Sequence, residues 1–315
     1  MSNAPTAPAK ANAAPTYRTA KASTSVVGTS APDEARGAAL NFLGKLAGEV
    51  SGGTVDLPCF PDVVLKIRRA LADPKTTQEK TVKIVGAEPR LAARLLQTAN
   101  SAAFNQTGKP ITDLRTAITR LGHQLVQSAA MGYAVQQMKE EPTLRSISKQ
   151  LTDLWLESVA VASICMVIAR RSKVTPDEAF LTGLLHGIGR LYITVRSVGL
   201  AKELTDDLSF MELVSGWHAS IGKAILENWG FTEQMAEAVG DQNERDRKHR
   251  HEPDLTDVVV AAVALGEVLK MPEPRNVDPT EVASLVALRL TPEECVKVLK
   301  HAEYQLGSLQ EALGH

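Results

Sequence analysis

The sequence predicts an all-α fold, and three observations carry that prediction. After about residue 35, apolar residues recur every three or four positions, the period of an amphipathic helix. No alternating apolar–polar run of useful length, internal repeat or Gly-rich phosphate loop interrupts the pattern. Aromatic residues make up only 4% while Ala, Leu and Val are abundant, a composition that packs helices through small and aliphatic side chains. With 315 residues, 44% of them hydrophobic and 23% charged, the chain has ample material for a sizeable core.

The elements follow in order. Residues 1 to about 35 are rich in Ala, Pro, Ser and Thr and lack a helical period, which predicts a disordered tail: a partner-binding arm or simply a solvated segment. Ala35, Ala39, Phe42, Leu43 and Leu46 predict a short helix that Gly48 ends. From about residue 56, Val63, Val64, Ile67 and Leu71 mark a helix that stops at Asp73-Pro74, because a residue before proline avoids the α region. Thr76 and Glu79 form a capping-box pattern for the next helix, which carries Val82, Ile84 and Val85. Pro89 opens a third, with Leu91, Leu95 and Leu96 as its stripe. A fourth is expected from 113 to about 138. Gly122 in its middle costs about 1 kcal/mol against alanine, which predicts a close helix crossing there.

Residues 151–171 are apolar around most of the circumference and predict a central helix. Pro176 opens another, expected to reach residue 188. After a short apolar stretch at 211–213, a helix is expected over 218–229, with Gly230 as its stop. Helices over 232–239 and 255–269 flank a polar loop, 241–254. Two short helices, 279–288 and 292–306, close the chain.

Several function classes are excluded by composition. Cys59, Cys165 and Cys295 are far apart and show no CxxC spacing, against structural zinc or a disulfide framework; such usage suits a reducing cytoplasm, the expected location. A net charge of -1 makes no whole-chain electrostatic case for nucleic acid. The longest apolar runs, such as 159–169 and 258–265, read as too short to cross a bilayer, and the N-terminus has no apolar signal region. Trp155, Trp217 and Trp229 read as core anchors. Lys66, Arg68 and Arg69 read as solvent-facing, and residues 243–252 as a solvated connection, with His249 and His251 able at most to catch adventitious metal. No serine or cysteine carries a nucleophile motif.

An ordered set of segments carries a resemblance. They are Leu57-Pro58-Cys59-Phe60-Pro61; Glu88-Pro89-Arg90-Leu91 through Leu95-Leu96 and Ala99-Asn100-Ser101-Ala102; Ala117-Ile118 with Leu121-Gly122; and Trp155 with Ser158. The stretch from Phe180 through His186-Gly187-Ile188-Gly189 follows, then His218-Ala219-Ser220-Ile221-Gly222 through Asn228-Trp229-Gly230. From about residue 56 to 270 this pattern resembles the HDOD family, a degenerate relative of the HD phosphohydrolases. The resemblance implies a two-lobed helical HD-like domain. Its N-terminal lobe covers about 56–140 and its HD-like lobe about 145–270, followed by a C-terminal helical extension, 271–315.

It also implies where to look for chemistry. HD enzymes hold divalent metal with a histidine, an adjacent His-Asp pair and a distant Asp; the metal polarises phosphate and lowers the pKa of bound water. In this chain those positions read Glu157, His186-Gly187 and Gly266, the last with Glu267 beside it, while Asp241 and Gln242 stand where phosphohydrolases place further histidines. His186 and His218 are the retained members. Glu157, His186, Gly187 and His218 are therefore expected to be vestigial, with no catalytic residue, no bound metal and no cofactor. The expected function is a non-catalytic bacterial signal-transduction module that binds other signalling proteins, with neither membrane nor nucleic acid as partner. Two alternatives stand beside it: a metal-dependent phosphohydrolase with a remodelled site, using Glu157 as a new ligand, and a sensor that binds a nucleotide or small molecule without turnover.

Overall fold

Helices and the turns between them make up the computed structural model, and no described residue lies in a strand. It describes residues 31–313 apart from 54, 56, 74, 102, 103, 106, 107, 201–204, 206, 207, 249–251 and 273–276. Positions 1–30 of the expected tail, and His249 and His251, lie outside the described residues.

The first half holds α1 (Ala31–Ser51), α2 (Asp62–Ala72), α3 (Gln78–Gly86), α4 (Pro89–Asn100) and α5 (Leu114–Glu140). A 3-10 turn, Pro142–Ile147, leads into α6 (Ser148–Ala169), α7 (Pro176–Leu185), α8 (Ile188–Arg196) and α9 (Leu208–Asn228). Then come α10 (Glu233–Gly240), α11 (Leu255–Leu269), a 3-10 turn at Pro279–Glu281, α12 (Ala283–Ala287) and α13 (Pro292–Leu313).

α6 is the hub. α7, α11 and α13 all pack on it, and Ile164, Cys165 and Met166 in its middle are fully buried. By length and composition, residues 142–169 are apolar enough to cross a membrane, which corrects the expectation that no segment is; most of that window is buried inside the fold, as befits a core helix. Two glycine contacts set the geometry around α6. A Cβ on Gly183 would lie 2.8 Å from the Ala162 Cα, so α7 lies directly on α6. A Cβ on Gly189 would lie 1.9 Å from the His218 carbonyl oxygen, so α8 and α9 meet backbone to backbone.

Tertiary contacts moved several expected boundaries. α1 runs through Gly48 to Ser51, because Leu46 and Val50 are buried in the contact with α9. The cap of α3 is Thr77, whose hydroxyl accepts from the Lys80 N–H, one residue later than the sequence pattern. The helix expected over 176–188 breaks at His186-Gly187, and 211–228 belongs to one helix. Gly122 does not mark a crossing: nothing lies within 4 Å of its Cβ position, and its φ of 71° and ψ of 178° break α5 in two. Trp155 and Trp229 are buried but Trp217 is only half-buried. Arg68, expected in solvent, stacks over Trp229 at 5.7 Å.

The Asn100 side chain fastens the loop after α4. Its amide donates to the Ile111 and Leu96 carbonyls at 2.8 and 2.9 Å, and its Oδ1 accepts from the Ile111 N–H at 2.8 Å. The segments flanking the central helices are also tied in. Asn228 donates to the Val50 carbonyl, and Arg196 pairs with Glu49 at 2.9 Å. On the other side, the Ser163 hydroxyl donates to the Ala302 carbonyl, and Arg171 pairs with Glu294.

Candidate functional site

Five helices converge on one polar cluster. His186 lies just past the end of α7 and is 3% exposed. Its Nδ1–H donates to the Gly183 carbonyl at 2.7 Å, which leaves Nε2 as the lone-pair nitrogen. The His186 carbonyl in turn accepts from Gln242 Nε2 at 3.0 Å, and that amide also donates to the Val239 carbonyl at 2.7 Å. His218, on α9, is 2% exposed, and its Nε2 faces the Arg190 guanidinium at 3.5 Å. Its Nδ1 is buried without a hydrogen-bond partner among the described residues. Arg190, on α8, donates to Glu157 Oε1 on α6 at 3.1 Å. Lys270, just past α11, reaches Glu157 Oε2 at 3.1 Å.

The charges in this cluster are unequal. Burial pushes the pKa of His186 down to about 4, against the opposing pull of its bond to Gly183 and of Glu157. Burial, aided by the Arg190 charge, pushes His218 down to about 4 as well. Both imidazoles are therefore neutral at physiological pH. Burial works against the Glu157 carboxylate, but Arg190 and Lys270 together hold it below the ordinary glutamate range. The site's charge thus resides in one carboxylate and two cations.

A cavity of about 540 Å³ opens over this cluster. Glu157, His186, His218, Gln242, Gly266 and Glu267 all line it, although up to 110 residues separate the first from the last in sequence. Of the vestigial positions that the resemblance named, Glu157, His186 and His218 line this cavity and Gly187 does not. The resemblance did not identify Arg190 or Lys270. Arg190 stands four residues beyond His186, one helical turn, but a single basic residue at that spacing has no signature of its own. Asp241 lies at the end of α10 and does not line the cavity. The stretch 243–252 is not merely solvated: Arg247 forks onto Asp254 and reaches the fully buried Asp257 at 2.8 Å, which also accepts from the Ser284 hydroxyl.

The residues present do not fit the metal that HD chemistry would require. Among the described residues, no three His, Cys, Asp or Glu side chains are placed to hold one ion. The guanidinium of Arg190 sits against both Glu157 and His218, so a cation already occupies their shared side. The two positions where the HD pattern places carboxylates are tightly packed. A Cβ on Gly187 would meet the Ser158 hydroxyl at 3.0 Å, and one on Gly266 would meet Val161 Cγ2 at 3.1 Å. At either position a side chain would have to push its neighbour aside by a few tenths of an ångström.

Comparison with known proteins identifies the family and the fold. The model of the HDOD domain family matches residues 57–245. An uncharacterized protein of Treponema pallidum is 23% identical over 209 residues, 62% of this chain and 39% of its own length, so the chain spans well under half of that relative. Among solved structures, a Shewanella amazonensis protein provisionally described as a metal-dependent phosphohydrolase superposes with a TM-score of 0.66. It is 20% identical, with 87% of this chain and 99% of that one covered. An HDOD domain protein of Geobacter sulfurreducens, of unknown function, gives 0.59 at 23% identity over 86% of this chain and 98% of its own. A Marinobacter aquaeolei protein provisionally described as acting in signal transduction gives 0.57 at 19% identity, over 89% and 66%. These likenesses establish the helical fold, and because the family match spans more than half of its length, the chain belongs to the HDOD domain family.

Proposed function

We propose that this protein is a non-catalytic regulatory module of bacterial signal transduction that works by binding other signalling proteins in the cytoplasm. One observation carries the non-catalytic part: the Arg190 guanidinium rests between Glu157 and His218. A divalent ion brought to those ligands meets a fixed positive charge at close range, in a setting where burial strengthens repulsion. The remaining ligands would have to come from Gly187 and Gly266, which supply none. Without the ion, nothing in the cluster activates water: both histidines are neutral, but neither has a carboxylate to orient it as a general base. The regulatory part is supported by family membership and by the buried, tightly connected helical core, which presents surface for binding but no other organised set of reactive groups among the described residues.

The test is chemical. Protein purified without added metal is analysed for bound ions and incubated with cyclic dinucleotides and nucleoside phosphates. The expected result is no stoichiometric metal and no hydrolysis above a heat-inactivated control. Tightly bound metal together with turnover that His186→Ala abolishes would overturn the proposal.

A further inference from the structure

The cavity over the cluster retains a binding site's proportions. Its volume of about 540 Å³ lies in the range that encloses small organic ligands, about 300–1,000 Å³. Its sides are aliphatic, formed by Leu156, Ala160, Val161, Val263, Leu269 and Leu306. The cations are gathered at one part of the wall. Arg190 and Lys270 set two positive charges against the single carboxylate of Glu157. Neither is saturated by that pair: the Arg190 side chain is 31% exposed and that of Lys270 59%, and both line the cavity. A guanidinium carries five donors in a planar fork, so Arg190 can keep Glu157 and still bind a second oxyanion. Asp153, Glu267 and Glu303 also line the cavity; the first is paired with Lys149 and the second with Arg245. Those carboxylates disfavour a ligand with several negative groups but tolerate one with a single head directed at the cations.

We infer that this cavity binds a small organic anion, with one oxyanion head on Arg190 and Lys270 and an apolar body along the aliphatic walls. The inference rests on the non-catalytic reading, because the anion is held there and not turned over. It also gives the regulatory module an input. Arg190 is on α8, Lys270 follows α11 and Glu157 is on α6, so an anion shared between the two cations ties three helices together.

Calorimetric titration and thermal denaturation of the full chain test this with defined probes. Adenosine monophosphate represents a phosphate head and octanoate a carboxylate head. Adenosine, octanol and inorganic phosphate are the controls. At least one of the two anions is expected to bind one to one with Kd below about 1 mM and to raise the melting temperature. Which of them binds assigns the head group. Its neutral counterpart should bind at least about tenfold more weakly, and Lys270→Gln should weaken the anion by at least about tenfold. Ala160→Phe, which fills the cavity from its wall, should abolish binding, with both variants retaining the wild-type circular dichroism spectrum. The inference is overturned if the folded chain binds neither anion, if the neutral counterparts or inorganic phosphate bind as well as the organic anions, or if both variants bind like wild type. Phosphate release from adenosine monophosphate would overturn the non-catalytic reading while leaving the anion site supported.

Discussion

His186 and His218 stay uncharged because each is buried and neither has a carboxylate partner. Their folded pKa values, about 4, lie below the ordinary 6.5. In acid the unfolded chain therefore binds protons that the native state refuses. Stability should be fully present above pH 6.5 and fall as the pH drops towards 4, by about 3 kcal/mol for each histidine. Urea denaturation across that range checks this, and His218→Gln should flatten the profile. A second prediction concerns Gly187→Asp. The new side chain meets the Ser158 hydroxyl and buries a carboxylate, so the variant should lose about 2–3 kcal/mol and gain no metal. Adding Ser158→Gly should recover part of the loss in thermal denaturation. At this scale the sequence was informative where the motif spaced its own residues: Glu157, His186, His218 and Gln242 come together on one cavity wall. Arg190 and Lys270 were not legible, because a cation becomes a metal's substitute only when the fold delivers it to the ligands.

Element by element, most helices could be read from period and punctuation. α11 was expected over 255–269 and occupies Leu255–Leu269, since an apolar run between an Asp cap and a polar turn has one reading. Gly122 was misread for a definite reason. In sequence, a glycine needed for close packing and one needed for backbone conformation look the same. Its φ of 71° with ψ of 178° belongs to a region that only glycine populates freely. Gly122→Ala should therefore destabilise by about 1–3 kcal/mol despite the open space around it. Gly44→Ala, on the exposed side of α1 and also in open space, should stabilise by about 1 kcal/mol. Melting temperatures of the two variants should move in opposite directions.

Across the whole molecule, α13 ties elements of the first half to the central helix. It packs on α4, α5 and α6, buries Val298, Leu299, Ala302 and Leu309, and supplies Glu303, Leu306 and Gln310 to the cavity. Full burial of one Val and two Leu side chains contributes on the order of 6 kcal/mol, comparable with the entire stability of a typical domain, about 5–15 kcal/mol. A chain ending at residue 291 should accordingly lose its sharp, cooperative unfolding transition. A truncated protein that melts within a few degrees of the full chain would show that α13 is a removable cover.

The sequence by itself determined the helical class, the order of the elements, the family and the glycines at positions 187 and 266. Those properties depend on local periodicity and on the identity of residues at fixed spacing, both visible without a fold. Only the tertiary structure decided that Arg190 and Lys270 neutralise Glu157, that neighbouring side chains crowd the space at Gly187 and Gly266, and that a cavity remains over the cluster. These depend on distances between helices far apart in the chain, which are set by backbone contacts such as those at Gly183 and Gly189 and leave no local trace in the residues they bring together.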